Sequence, residues 1–81
     1  MEIKILGTGC PKCKRLEQLA RLALERSNAD ETTITKVTDI QAIMAYPILS
    51  TPGLVINEKV VCSGRLPSVD EIVAWIKEAQ G

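Results

Sequence analysis

The chain reads as an α/β protein of order βαβαββα, a four-stranded mixed sheet flanked by three helices. Three observations predict this. Short apolar or β-branched runs alternate with longer stretches in which apolar residues recur at a helical period. The first two runs are joined through such a helical stretch, the connection that parallel strands require. The last two are separated only by Asn57-Glu58, a hairpin spacing. With 81 residues, one domain spanning 1–81 is expected. A chain this short must commit nearly every apolar run to a shared core.

The elements follow in order. Residues 2–6 form the first strand, with Ile3, Ile5 and Leu6 as its apolar content. Thr8-Gly9 is a turn. Pro11 suits a first helical position, where its fixed φ is helical and its missing N–H is not needed, so Cys10 falls at the N-cap. Cys13, Leu16, Leu19, Ala20, Ala23 and Leu24 then make an inward stripe. Lys14, Arg15, Glu17, Gln18, Arg21 and Glu25 fill the other side. The Glu17–Arg21 and Arg21–Glu25 spacings add i,i+4 support of a few tenths of a kcal/mol each. Ser27-Asn28 ends this helix. The β-branched run 32–37 is a second strand. Asp39 caps a short helix over 40–45 that stops before Pro47. A loop over 48–53 leads to Leu54-Val55-Ile56, a continuous apolar run expected of a strand buried on both faces. Residues 59–63 pair with it, and Gly64 breaks that strand. Alternation places Val60 and Cys62 on one sheet face and Val61 on the other. Ser68-Val69-Asp70-Glu71 has capping-box spacing for a last helix carrying Ile72, Val73, Trp75, Ile76 and Ala79, with Gly81 at its end.

Composition excludes several function classes. The hydrophobic fraction is 46%, which argues against disorder. Ten basic and ten acidic residues give a formal charge of zero, so nothing attracts nucleic acid or an anionic membrane. The apolar runs are far too short to cross a bilayer. Residues 1–7 lack the basic and longer apolar regions of a secretory signal, so the cytoplasm is the expected site. The absence of histidine removes Cys-His catalysis and imidazole metal ligands.

Three cysteines are too few, and odd in number, for a disulfide-stapled scaffold. Cys10 and Cys13 lie three residues apart and close too short a loop to hold a fold together, so the pair points to chemistry. Cys10 sits at the exposed tip and can attack. Cys13 shares the inward stripe and can resolve a mixed disulfide. The nucleophile is the thiolate, and an ordinary cysteine of pKa about 8.5 is only roughly 3% ionised at pH 7. The backbone N–H groups of Lys12 and Cys13, the helix end, and the charges of Lys12 and Lys14 all favour ionised Cys10. A two-unit depression needs about 2.7 kcal/mol. The helix end supplies about 0.3–1 kcal/mol, up to about 2 when sheltered, so hydrogen bonds must supply the rest. A modest depression suffices, because exchange is fastest with a thiol pKa near ambient pH. The same pair could instead bind a soft metal such as Cu(I), or form half of a zinc site, which normally needs four ligands. Cys62, the remaining cysteine, reads as a small core hydrophobe, or else as a regulatory thiol or third ligand.

The chain resembles the thioredoxin fold, and more narrowly the small thioredoxin-like or glutaredoxin-like redox-active disulfide proteins of prokaryotes. The resemblance rests on Cys10-Pro11-Lys12-Cys13 after the first strand, Ser50-Thr51-Pro52-Gly53 before Leu54-Val55-Ile56, and Ser63-Gly64-Arg65-Leu66-Pro67-Ser68 before the last helix. It covers essentially the whole chain. It implies a cis Thr51–Pro52 bond beside the redox pair, with the Thr51 backbone available to an extended substrate. It also implies protein disulfides as substrates and a separate reductase as partner, with no cofactor. Some positions depart from the relatives. Gly9 stands where thioredoxins carry an aromatic residue, and Pro11-Lys12 replaces their Gly-Pro. The Pro-first order is that of glutaredoxins, with Lys12 in place of their tyrosine, but only Ser63-Gly64 and Asp70 echo their glutathione contacts. No acidic residue in the first strand matches the buried proton acceptor of thioredoxins, since Glu2 lies at its very end.

The sequence therefore predicts a monomeric thiol–disulfide oxidoreductase. Cys10 is the nucleophile, Cys13 the resolving thiol, and Thr51, Pro52 and Lys12 contact the substrate. Soft-metal binding through Cys10 and Cys13, or glutathione-linked activity, are the alternatives. Trp75 is expected in the core, Tyr46 at a helix end, and Arg65 in solvent.

Overall fold

The computed structural model describes residues 1–29, 32–48 and 50–80. Its elements are β1 (Glu2–Leu6), α1 (Pro11–Ser27), β2 (Thr33–Val37), α2 (Ile40–Met44), β3 (Gly53–Ile56), β4 (Lys59–Ser63) and α3 (Val69–Gln80). This is the βαβαββα order read from the sequence. Leu49, within the loop expected over 48–53, and Gly81, expected to end the last helix, lie outside the described residues.

The strands form one mixed sheet in the order β2-β1-β3-β4. β1 runs parallel to β2 and antiparallel to β3, and β3 and β4 form the hairpin. Asn57 and Glu58 both take positive φ, 50° and 66°, as a type I′ hairpin turn requires.

The helix ends are built from the residues that signalled them. Asp39 accepts from the Gln41 N–H at 3.4 Å. Asn28 closes α1 in the left-handed conformation at φ 53°. Ser68 and Glu71 form a reciprocal capping box, each side chain taking the other's backbone N–H at 3.1 Å. Arg65 grips Glu71 through two guanidinium bonds of 2.9 and 3.3 Å, and this holds the Glu71 carboxyl down to about 2. Arg65 is therefore committed to an ion pair at the start of α3.

One sheet face carries the main core. Ile3, Ile5, Leu54 and Ile56 pack there against Leu16, Ala20 and Ala23 of α1 and Ile72 and Ile76 of α3. Each large aliphatic side chain buried in this way contributes about 1.5–3 kcal/mol relative to exposure. Trp75 packs against the edge of this core. On the opposite face Leu6 and Val55 pack on Ile43 of α2, with Tyr46, Ile48 and Val60 around them. Lys4 shares that face, where its Nζ donates to the Tyr46 hydroxyl at 2.9 Å and binds Glu58.

The alternation expected along β4 does not hold. Leu54 pairs with Cys62 but Val55 pairs with Val60, which leaves Val61 as the extra residue of a bulge. A bulge shifts the side-chain parity beyond it. Cys62 and Val61 consequently join the main core while Val60 joins the opposite cluster, so Val60 and Cys62 do not share a face.

Candidate active site

Four connections converge at one end of the sheet. Leu6, the last residue of β1, lies opposite both Val37, the last of β2, and Gly53, the first of β3. Gly53 in turn faces Ser63, the last of β4. The Gly7–Cys10 segment, Thr38-Asp39, Thr51-Pro52 and Ser63-Gly64 all emerge there. Topology alone thus brings the two cysteines and the Thr51-Pro52 loop to the same edge. The Thr51–Pro52 bond is cis, as the resemblance implied. The Gly64 N–H donates to the Pro52 carbonyl at 2.9 Å, which ties this loop to the end of β4. Thr51 is exposed and Pro52 is buried.

Cys10 is the N-cap of α1. Helix N-caps normally offer a side-chain oxygen to an unpaired backbone N–H, and here a sulfur takes that place. Cys10 Sγ accepts from the Cys13 N–H at 3.2 Å, and the Cys10 carbonyl accepts the first helical bond, from Lys14, at 3.1 Å. Pro11 occupies the first turn, and no acidic side chain stands there to compete for the positive helix end. Lys12 points into solvent at the tip.

The two thiols are held in opposite ways. The Cys13 thiol, then the Cys13 backbone N–H, hold the Cys10 pKa below its ordinary value against the opposing effect of burial, with a weaker contribution from the Lys12 backbone N–H. Cys13 is 5% exposed, and burial first, then its hydrogen bond to Cys10, push its thiol up. Both are free, so this is the dithiol form. Its protons are therefore unequally held, with an ionisable sulfur at the surface and a protonated one beneath it.

A small cavity of about 120 Å³ lies beside Cys13, between it, Gly7, Glu17 and Lys36. Glu17 is tied to Arg21 at 2.9 Å and to Lys36 at 3.6 Å. Arg21, followed by Lys36, lowers its pKa, which makes it a weak base toward a thiol.

Cys62 stands apart from this pair. Its thiol donates to the Arg65 carbonyl at 3.7 Å, and burial raises its pKa. Among the described residues no three cysteine or carboxylate side chains are grouped so as to hold a metal ion. No helix among them is long and apolar enough to cross a membrane.

Sequence reasoning did not find Gly7. A side chain built there would collide with the Cys13 sulfur. The only signal was a glycine between the first strand and the cysteine pair.

Similarity to known proteins points to the same family. A family model described as a thioredoxin domain matches residues 1–77. The chain is similar to a thioredoxin of Methanocaldococcus jannaschii, 39% identical over 75 residues, covering 93% of this chain and 85% of that protein. It is also similar to a thioredoxin of Methanothermobacter thermautotrophicus, 33% identical over 72 residues, covering 89% of this chain and 92% of the relative. With a mixed four-stranded sheet, a thiol pair at the first helix and matches along nearly its whole length, the chain belongs to the thioredoxin family of thiol–disulfide oxidoreductases.

Proposed function

We propose that Cys10 is the attacking thiolate and Cys13 the resolving thiol in the reduction or exchange of protein disulfides. The observation that carries this is Cys10 Sγ seated on the Cys13 N–H at 3.2 Å while the Cys13 sulfur is 5% exposed. Ionised Cys10 attacks one sulfur of a substrate disulfide. That S–S bond breaks, and the released thiolate takes a proton from water. Cys13 then gives up its proton, and its thiolate attacks Cys10 in the mixed disulfide. The second substrate thiolate leaves with the bonding pair. Two electrons have passed to the substrate, and the 10–13 disulfide waits for a separate reductase.

Thr51 and Lys12 supply the substrate surface in this reading, and the buried Pro52 positions the Thr51 backbone from beneath. Thr51 is exposed beside the buried cis proline, and Lys12 projects from the tip between the cysteines. The polypeptide acts as a single thioredoxin-like domain, 1–81, a monomer in the cytoplasm, with protein disulfides and a reductase as its partners. Neither nucleic acid nor membrane takes part.

Pro52→Ala tests the substrate platform. The value of kcat/KM toward a disulfide-bonded peptide should fall by about tenfold to a hundredfold, because small misplacements of a bound substrate cost that much. Alkylation of Cys10 by iodoacetamide at high pH should be unchanged. Equal peptide kinetics in the two proteins would remove Pro52 from the residues that position the substrate.

A further inference from the structure

Gly7 and Gly9 flank the bend before α1, and each is a glycine for a different reason. Gly9 has φ +92°, and a Cβ built there meets nothing within 4 Å, so its conformation demands glycine. Gly7 is buried, donates its N–H to the Val37 carbonyl at 3.0 Å and does not have positive φ. Its backbone suits any residue, but its space does not. A Cβ at Gly7 would overlap Cys13 Sγ and stand 3.2 Å from Cys13 Cβ. The sulfur of the dithiol form fills the volume that a side chain at position 7 would take.

We propose that Gly7 is a positioning residue that sets the reduction potential of the Cys10–Cys13 pair, by keeping open the seat of the reduced Cys13 sulfur. This rests on the pair being the redox centre. The order of burial gives the direction. Gly7 and Cys13 are buried, and Cys10 is half-buried at the tip. Disulfide formation brings the two sulfurs to about 2.05 Å, which draws the Cys13 sulfur outward and away from Gly7. A methyl group at position 7 therefore opposes the dithiol more than the disulfide. Cys13 has only one side-chain torsion with which to escape, and its Cβ is fixed on the buried stripe of α1. A thiol swung into the neighbouring cavity would lose its hydrogen bond with Cys10, so the dithiol bears the cost on either route.

The test equilibrates wild type and Gly7→Ala with dithiothreitol redox buffers and counts free thiols by mass tagging. In this exchange Cys10 and Cys13 give two electrons and two protons to oxidised dithiothreitol, forming the 10–13 bond and reduced dithiothreitol. The equilibrium constant for the protein disulfide should rise about tenfold in Gly7→Ala, a potential about 30 mV more negative. A second measurement compares the stability lost through Gly7→Ala in the wild-type and Cys13→Ala backgrounds, both reduced. Removing the sulfur should recover most of the loss, since contacting residues couple and distant ones do not. Should reduced Gly7→Ala not fold, recovery of folding in Gly7→Ala/Cys13→Ala supports the proposal and its absence overturns it. An unchanged or less negative potential overturns it, as does an equal loss in both backgrounds. A wild-type protein that never forms the 10–13 bond overturns the redox pair as well, and it does so before any substitution is made.

Discussion

Cys10→Ser should abolish disulfide reduction and leave the fold intact. Serine is a good N-cap, so its oxygen takes over the Cys13 N–H that Cys10 Sγ accepts at 3.2 Å, and α1 still begins at Pro11. Stability should change by less than about 1 kcal/mol. The chemical loss is far larger, because a hydroxyl is not ionised near neutrality and forms no disulfide. Dithiothreitol-driven reduction of a disulfide-bonded protein should slow by roughly a thousandfold or more, on the scale of other nucleophile deletions. In the wild type, the rate of the first attack should climb as Cys10 loses its proton. Its pKa is lowered, so the midpoint should fall below that of an ordinary cysteine. Cys13 and Cys62, both raised by burial, should titrate above that value. A Cys10→Ser protein retaining more than a tenth of wild-type activity would place the nucleophile elsewhere.

Cys13→Ala should stop the cycle at its midpoint. The first attack requires only Cys10, so the variant should still open a substrate disulfide, but without an internal thiol the mixed disulfide accumulates. Turnover should fall by roughly a thousandfold, limited by whatever external thiol can reach the bond. Alanine keeps this buried position apolar, so the site stays folded. The Cys13 thiol is the leading cause of the low Cys10 pKa. Its removal should move the Cys10 alkylation midpoint upward, with the backbone donors keeping part of the depression. Peptide mapping of the trapped adduct should find the substrate on Cys10. An adduct on Cys62, or an unshifted alkylation curve, would contradict the division of roles.

The features legible in the sequence were those decided by neighbours along the chain. Pro11 at the first turn, Asp39 and Ser68 as caps, and the stripe from Cys13 to Ala23 all act within a few residues, and the structure places each as read. Cys10 and Cys13 were legible for the same reason, since a helix start fixes both sulfurs. What was missed depends on segments far apart. The Val61 bulge exists only in the pairing of β4 with β3, and no pattern within 59–63 announces it. Lys4, Tyr46 and Glu58 meet across 42 and 54 residues of chain. The crowding at Gly7 exists only because α1 folds back to place Cys13 against it.

In the proposed chemistry Cys10 and Cys13, and no other thiols, exchange two electrons with a disulfide substrate. A redox titration with thiol-mass tagging tests it in one experiment. Two of the three thiols should disappear together in a single two-electron transition and map to positions 10 and 13, while Cys62 stays reduced throughout. A transition that consumes Cys62, or one that yields only bonds between chains, would contradict it.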